Sequence, residues 1–370
     1  MFPFGFTMLA PLIITLSSES HARVSPAETP GLLALVTGGD GALSFTLDPL
    51  SLTYVVTTSS NEMAFTSNGA QGNGFGYSAG GKTRTLLDGL VQLGVPAKAS
   101  GSDATGDFES ISINFTHRAS GEVEWISTVK AYTSRPALVF AQTWPRGVPV
   151  AVGGSIFPSL KQRNHHSLGT LEYTGASCGF MVSAKGEYPG ITGGQDKGYV
   201  VIAPRDSVGG GASSTLAIGP VTEHFVNQAS SYNGSSLSYG VAPTFNTLPA
   251  GFTVETVLVA STKTSTPPPD DARSSIAPGG VRTRNFSIAV DVLRLSPPCL
   301  GVMLYSQCSV LDAGWLGSDV RSCPIHVFQV NAALMEFGDF LLARHGKTRA
   351  RGDIKRETEY IGYSTTAFYL

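Results

Sequence analysis

The octet Gly76-Tyr77-Ser78-Ala79-Gly80-Gly81-Lys82-Thr83 fits two catalytic patterns at once. Its first five residues match GxSxG, in which Ser78 would be a nucleophile raised on a sharp strand-to-helix turn. The whole octet matches GxxxxGK[ST], in which Lys82 and Thr83 would meet phosphate and a metal ion. Both mechanisms need a buried apolar strand before the turn and a helix after it. The preceding residues are SNGAQGNGF, a polar Gly-rich loop, so the first condition fails. The second has one supporter: TRTLLDGLVQLG (83–94) spaces Leu86, Leu87, Leu90 and Val91 for one helical face, although Gly89 weakens it. A second GxSxG match, GASCG (175–179) around Ser177, precedes FMVSA, which reads as a strand where the elbow requires a helix.

The remaining chemistry-bearing residues are sparse. His165-His166 is the only adjacent His pair, and neighbours on a strand point to opposite faces, so they chelate poorly. Three of the four cysteines, Cys299, Cys308 and Cys323, lie close together without a CxxC spacing, which favours a disulfide-stapled segment over a metal site; Cys178 reads as a small buried hydrophobe. No metal ligand set and no cofactor are called for. Arg351-Gly352-Asp353 is an integrin-type tripeptide of the kind chance produces. Trp125, Trp144 and Tyr188 are the candidates for stacking on sugar rings, although aromatics in a β-protein are more often core or rim. Asn114, Asn233 and Asn285 open Asn-x-Ser/Thr triplets, acceptors for N-glycans in a secreted chain.

The elements that would position these residues are mostly strands. The chain has 370 residues, 42% apolar and 14% charged, with 43 Gly and 22 Pro. The apolar share excludes a disordered chain, and the low charge and frequent turn residues fit a β-rich secreted protein. A net charge of −2 gives no electrostatic case for nucleic acid or an anionic membrane. Met8–Leu16 is a short apolar run followed by small polar residues, which marks residues 1–22 as a secretory signal peptide and places the protein outside the cytosol, secreted or lumenal. The run is too short for a membrane span, which needs about 20 apolar residues.

From residue 23 to 261, short alternating runs are separated by Gly, Asn and Asp turns. In SISINFT, Ile111, Ile113 and Phe115 share one face against Ser112, Asn114 and Thr116, a period of two. In EVEWISTVKAYT, Val123, Trp125 and Val129 oppose Glu122, Glu124, Thr128 and Lys130, with Ile126 and Tyr132 out of pattern. FTVETVLVA (252–260) turns apolar on both faces in its second half, as a strand covered on both sides does. These runs predict one large antiparallel β-sandwich. Residues 262–280 read as a linker and 281–329 as an atypical insert without period, of the kind a translated intron would give; together 262–330 is expected to be irregular. A helix follows from an N-cap at Asn331, with Ala333, Phe337, Phe340 and Leu341 on one face, Arg344 in its last turn and Gly346 past its end. A final aromatic strand closes the 331–370 segment.

The ordered set GYVVIAP, TLAIGPV, YGVAPTFNTLPAGFTVETVLVAS, LLARHGKTRA and TEYIGYSTTAFYL resembles the N-terminal region of α-galactosidase and raffinose-synthase-like glycoside hydrolases. That resemblance implies a large sandwich, then a linking helix, then a (β/α)8 barrel whose first strand would begin near Gly362-Tyr363. The Asp-Asn-Gly portion of that strand's motif is absent here. The family's catalytic carboxylates would lie on later barrel strands, beyond Leu370, so no residue of this chain inherits a catalytic role. The resemblance thus implies an accessory sandwich for an enzyme acting on α-galactoside-type carbohydrate, inactive alone. Its rivals are a stand-alone secreted carbohydrate-binding module and a non-functional truncated product.

Overall fold

A computed structural model describes residues 31–39, 43–59, 63–117, 121–163, 167–175, 181–190, 197–204, 214–222, 226–232, 234–243, 245–261 and 323–348. The side chains of 173–175, 181–185, 197–198, 232, 323–329 and 331 are not among those described. The signal-peptide segment, His165-His166, Ser177, Cys178, Asn233, Asn285, Cys299, Cys308, the 262–322 linker and insert, the Arg351-Gly352-Asp353 tripeptide and the closing strand all lie outside these residues.

The fold is mainly β. One antiparallel sheet has seven strands in the order β1 (Leu33–Val36), β2 (Leu43–Leu47), β3 (Tyr54–Thr58), β4 (Ala64–Thr66), β13 (Ser159–Gln162), β19 (Ser236–Val241) and β18 (Asn227–Tyr232). A larger antiparallel sheet runs β15 (Met181–Glu187), β14 (Leu168–Gly175), β16 (Lys197–Pro204), β17 (Thr215–Pro220), β20 (Phe252–Ser261), β11 (Ala137–Trp144), β10 (Trp125–Tyr132), β9 (Gly106–His117) and β7 (Leu90–Gln92), with β8 (Ala97–Asp103) also paired to β9. A three-stranded sheet, β12 (Val152–Ile156), β5 (Gly76–Ala79) and β6 (Lys82–Thr85), completes the sandwich. The strands read from alternation in the sequence are present, with edges moved by a few residues.

The period-two pattern works because each strand of the large sheet sends its bulky residues inward. Ile111, Ile113 and Phe115 of β9, Trp125 and Val129 of β10, Leu138, Phe140 and Trp144 of β11 and Leu258 of β20 are buried in one continuous core against the seven-stranded sheet. The opposite face is covered too. Helix α1 (Cys323–Arg344) lies on it, burying Ala333, Phe337 and Phe340 against Ala137, Val139, Val201, Ala217, Val257 and Val259. This second layer explains why β20 is apolar on both faces. It also explains Tyr132, which breaks the expected alternation: its ring meets Phe340 edge-on at 5.4 Å between centroids.

Two expectations fail. Residues 83–94 form no helix; they are β6, a turn and β7. Gly80 and Gly81 have φ of 58° and 72°, the left-handed pair that a two-residue hairpin turn requires, and Ala79 pairs with Lys82 across it. That turn chemistry overrides the helical spacing of the leucines. The helix, in turn, begins at Cys323 and not Asn331. Pro324 suits its first turn, where a missing N–H costs nothing, so the true start lies within the stretch read as insert.

Candidate functional site

The hairpin disposes of both catalytic readings of residues 76–83. Ser78 sits within β5, paired with Thr83, its hydroxyl 3.3 Å from the Thr83 hydroxyl. No helix follows, so there is neither an elbow to present a nucleophile nor a helix N-terminus to cradle phosphate. GASCG falls between β14 and β15, which pair as a hairpin through Gly175 and Met181; a strand therefore follows this motif also.

The three candidate sugar-stacking rings lie in the core. Trp125 and Trp144 are both 0% exposed, with ring planes 25° apart and centroids 6.4 Å apart. Trp125 stacks on Phe115 at 5.1 Å, and Tyr77 meets both indoles edge-on. Tyr188 is 9% exposed; its hydroxyl donates to the Leu160 carbonyl, and burial pushes that phenol well above its ordinary pKa. A ring with no open face cannot stack on a sugar arriving from solvent, so these residues stabilise the sandwich. Asn114 is exposed on β9, opposite Ile126, with Thr116 of its triplet buried.

Two places gather polar groups with specific geometry. The first is the rim where α1 meets the large sheet. Arg344 donates to both oxygens of Glu255, at 2.8 and 2.7 Å, and to Asp103 at 2.7 Å. Lys130 approaches Asp103 at 3.4 Å and Glu255 at 3.7 Å, and the Tyr132 hydroxyl donates to Asp103 at 2.8 Å. The forked guanidinium suits this two-carboxylate clamp in a way an ammonium would not. Burial pushes the Asp103 carboxyl up. The Thr105 amide, the Tyr132 hydroxyl and the two cations outweigh it and hold that carboxyl below its ordinary value. Burial depresses Arg344, and the Glu255 charge, with further help from Asp103, more than restores it. Tyr132 is raised, chiefly by burial and then by the Asp103 carboxylate it binds.

Just beyond the clamp, α1 ends in a Schellman motif. Gly346, at φ 61°, donates to the Ala343 carbonyl, and Lys347 to that of Leu342. The His345 ring nitrogen lies 3.1 Å from the Val221 carbonyl. The whole helix end is thus pinned to β20, β8 and the segment after β17. In the sequence, Arg344 reads only as a dipole-compatible cation. The missed signal was Glu255, a lone acid within the apolar run of β20.

The second place is a cleft of about 240 Å³ between the β5–β6 hairpin, β12 and the β18–β19 pair. Ser78, Thr83, Gln228 and Ser230 stand on its walls, and Gly153 and Gly154 form its floor. Beside it, on the other face of the hairpin, Arg84 binds Glu124 at 2.6 Å, and the Tyr77 hydroxyl donates to Glu124 at 2.9 Å. Burial, and then the Glu124 charge, push the Tyr77 phenol up to about 12. Among the described residues, no group of three His, Cys, Asp or Glu could hold a metal ion, and no helix is long and apolar enough to cross a membrane.

No protein-family model matches the sequence, and no curated protein matches it significantly. Solved structures do resemble parts of it. A glycoside hydrolase family 97 enzyme from a Pseudoalteromonas strain is 10% identical over 62% of this chain, with a TM-score of 0.41. An α-N-acetylgalactosaminidase from Bifidobacterium bifidum is 9% identical over 62% of the chain, also with a TM-score of 0.41. A family 36 α-galactosidase from Geobacillus stearothermophilus is 14% identical over 51%, with a TM-score of 0.32. The matched part spans 36%, 36% and 30% of those chains, about a third of their length.

Proposed function

We propose that this chain is the accessory β-sandwich of a glycoside-hydrolase-like protein acting on α-galactoside-type carbohydrate, and that it performs no hydrolysis by itself. The reading starts from the ordered segments that resemble the N-terminal region of α-galactosidase-like enzymes. The observation that carries it is the docked helix: α1 follows the sandwich, packs on its large sheet, and is clamped at its last turn by Arg344. A helix whose C-terminal end is ion-paired and capped in this way fixes the direction in which the chain leaves at Lys347. A linker that sets the orientation of a following domain needs that property.

The acids brought together at the α1 rim support the inactive reading. A retaining glycosidase needs two carboxyl groups roughly 5–5.5 Å apart and open to substrate. Asp103 and Glu255 do share one neighbourhood, yet both are neutralised by Arg344 and Lys130, and the Glu255 side chain is 6% exposed under α1. They are structural ion-pair partners. The secretory route belongs to the same proposal, supported by the leader-like segment and by an exposed Asn114 in a glycosylation triplet.

Purified 1–370 should release no nitrophenol from an aryl α-galactoside while binding α-galactosyl oligosaccharides in a titration. Turnover above a heat-denatured control would overturn the first half. A flat titration across raffinose, melibiose and stachyose would overturn the second.

A further inference from the structure

The geometry points to the cleft between the β5–β6 hairpin, β12 and β18–β19 as a binding site for one neutral, polyhydroxylated ring, a terminal pyranose. Its hairpin wall is set by strand register. Ser78 faces Thr83 and Gly76 faces Thr85, so these four share one side of the three-stranded sheet while Tyr77 and Arg84 share the other. The opposite wall comes from Gln228, Ala229 and Ser230 of β18 with Gly240 and Val241 of β19. The floor is an irregularity in β12: pairing with β5 shifts between Val152 and Ser155, and Gly154 takes φ 104°. A side chain on Gly153 would approach the Ser78 Cβ to 2.9 Å, and one on Gly154 would approach the Val241 carbonyl to 3.2 Å. The glycines therefore let two strand pairs and β12 converge around one small space and keep main chain at its surface.

The lining chooses the ligand class. No Asp, Glu, His, Lys or Arg is among the residues lining the cleft, so a phosphate, carboxylate or ammonium ligand would be stripped of water with no counter-charge. Hydroxyl and amide groups alternate with the small apolar surfaces of Ala229, Val241 and Pro243. A pyranose has the same two aspects, hydroxyls at its edge and C–H groups on its faces. The volume, about 240 Å³, is below the roughly 300–1,000 Å³ of sites for drug-sized ligands, which limits the occupant to a single ring. Two lining hydroxyls are already committed: Thr85 donates to Asp88 at 2.6 Å, and Ser155 accepts from the Val241 amide at 2.8 Å. Ser78 and Thr83, whose mutual contact is a long 3.3 Å, are the pair that a ligand hydroxyl would engage.

The choice of probe rests on the carbohydrate reading above, and the experiment separates the two. Methyl α-galactoside and methyl α-glucoside are titrated into 1–370 by ligand-detected NMR, against the Ser78→Leu and Thr83→Val variants. Ser78→Leu fills the cleft and should abolish saturation transfer. Thr83→Val removes one hydrogen-bonding group and should weaken binding roughly two- to tenfold. Thr83 is exposed, so that variant retains a readout even where Ser78→Leu fails to fold. Binding by the wild type that Thr83→Val and a folded Ser78→Leu leave unchanged would place the sugar elsewhere, sinking this site while sparing the carbohydrate reading. No transfer to either glycoside from the wild type would overturn the site. Silence of the oligosaccharide titration as well would take the carbohydrate reading with it.

Discussion

The two faces of the large sheet are built from different materials. Its inward face is aromatic: Phe115, Trp125, Phe140 and Trp144 form one connected cluster with Phe75 and Phe157. Its outward face, under α1, is made largely of alanines and valines, with Tyr132 and Tyr199 meeting the helix rings and Gly219 beneath Phe337. A side chain on Gly219 would come within 2.8 Å of the Phe337 ring. At one edge of that apolar floor, by the last turn of α1, stands the charged cluster of Asp103, Lys130, Glu255 and Arg344. Large rings interlock and hold two sheets in one arrangement. Small residues make a seat for a helix, and the ion pairs at its rim decide where on that seat it stops. The inner face makes the sandwich; the outer face makes a joint.

The comparison predicts global failure on one side and local failure on the other. Trp125→Ala removes a fully buried indole from the inner cluster and should cost about 3–5 kcal/mol, unfolding the sandwich as a unit in urea. Phe340→Ala removes a ring of similar burial from the joint and should cost about 3 kcal/mol of helix docking. Hydrogen exchange should then quicken in 330–344 while the strands stay protected. Equal loss of protection in the strands of the inner core would show that the two faces are one cooperative unit.

The difference also governed what the sequence disclosed. Period-two alternation in β9 and β10 announced the inner face because bulky and polar residues take turns there. The joint was half visible. The spacing of Ala333, Phe337 and Phe340 predicted the covered stripe of α1, and the two-sided apolar run of β20 announced that something lies over it. The partners of Arg344 were not visible, because Asp103, Lys130 and Glu255 come from three strands that only the sheet order makes neighbours. The 83–94 segment misleads for a local reason: two glycines able to adopt positive φ fix a tight hairpin, and three leucines and a valine at helical spacing do not outweigh it. The cleft was hidden in a motif read for the wrong chemistry. Ser78 and Thr83 matched catalytic patterns, whereas their real relation is a cross-strand pair.

Charge should loosen the joint before it touches the core. Arg344→Ala leaves Glu255 under the helix with Lys130 as its remaining cation, and should cost about 2 kcal/mol of docking. That is less than the roughly 3–5 kcal/mol seen when a fully buried pair is broken, because this rim is partly open to water. Acid should act in the same direction. The folded-state pKa of Asp103 is depressed, so its contribution is present above the unfolded value of about 3.9 and is lost as pH falls through the folded value. Exchange in the last turns of α1 should therefore rise below about pH 4, and Arg344→Ala should flatten that pH response. An unchanged response in the variant would show that Asp103 is not its source.

The smallest effect tests whether the joint sets direction as well as attachment. Gly346 takes φ 61°, a region that costs an L-residue roughly 1 kcal/mol or more, and a side chain there would meet nothing within 4 Å. Gly346→Ala should therefore cost about 1 kcal/mol through backbone strain alone, with no lost contact. The Arg344 clamp lies two residues earlier and should survive it, so α1 stays docked while the turn carrying Lys347 frays. Exchange at the Lys347 amide, which donates to the Leu342 carbonyl, should quicken, and that at the Leu341 amide should not. Loss of protection at both positions would mean that the Schellman turn, and not the ion pairs, anchors the end of the helix.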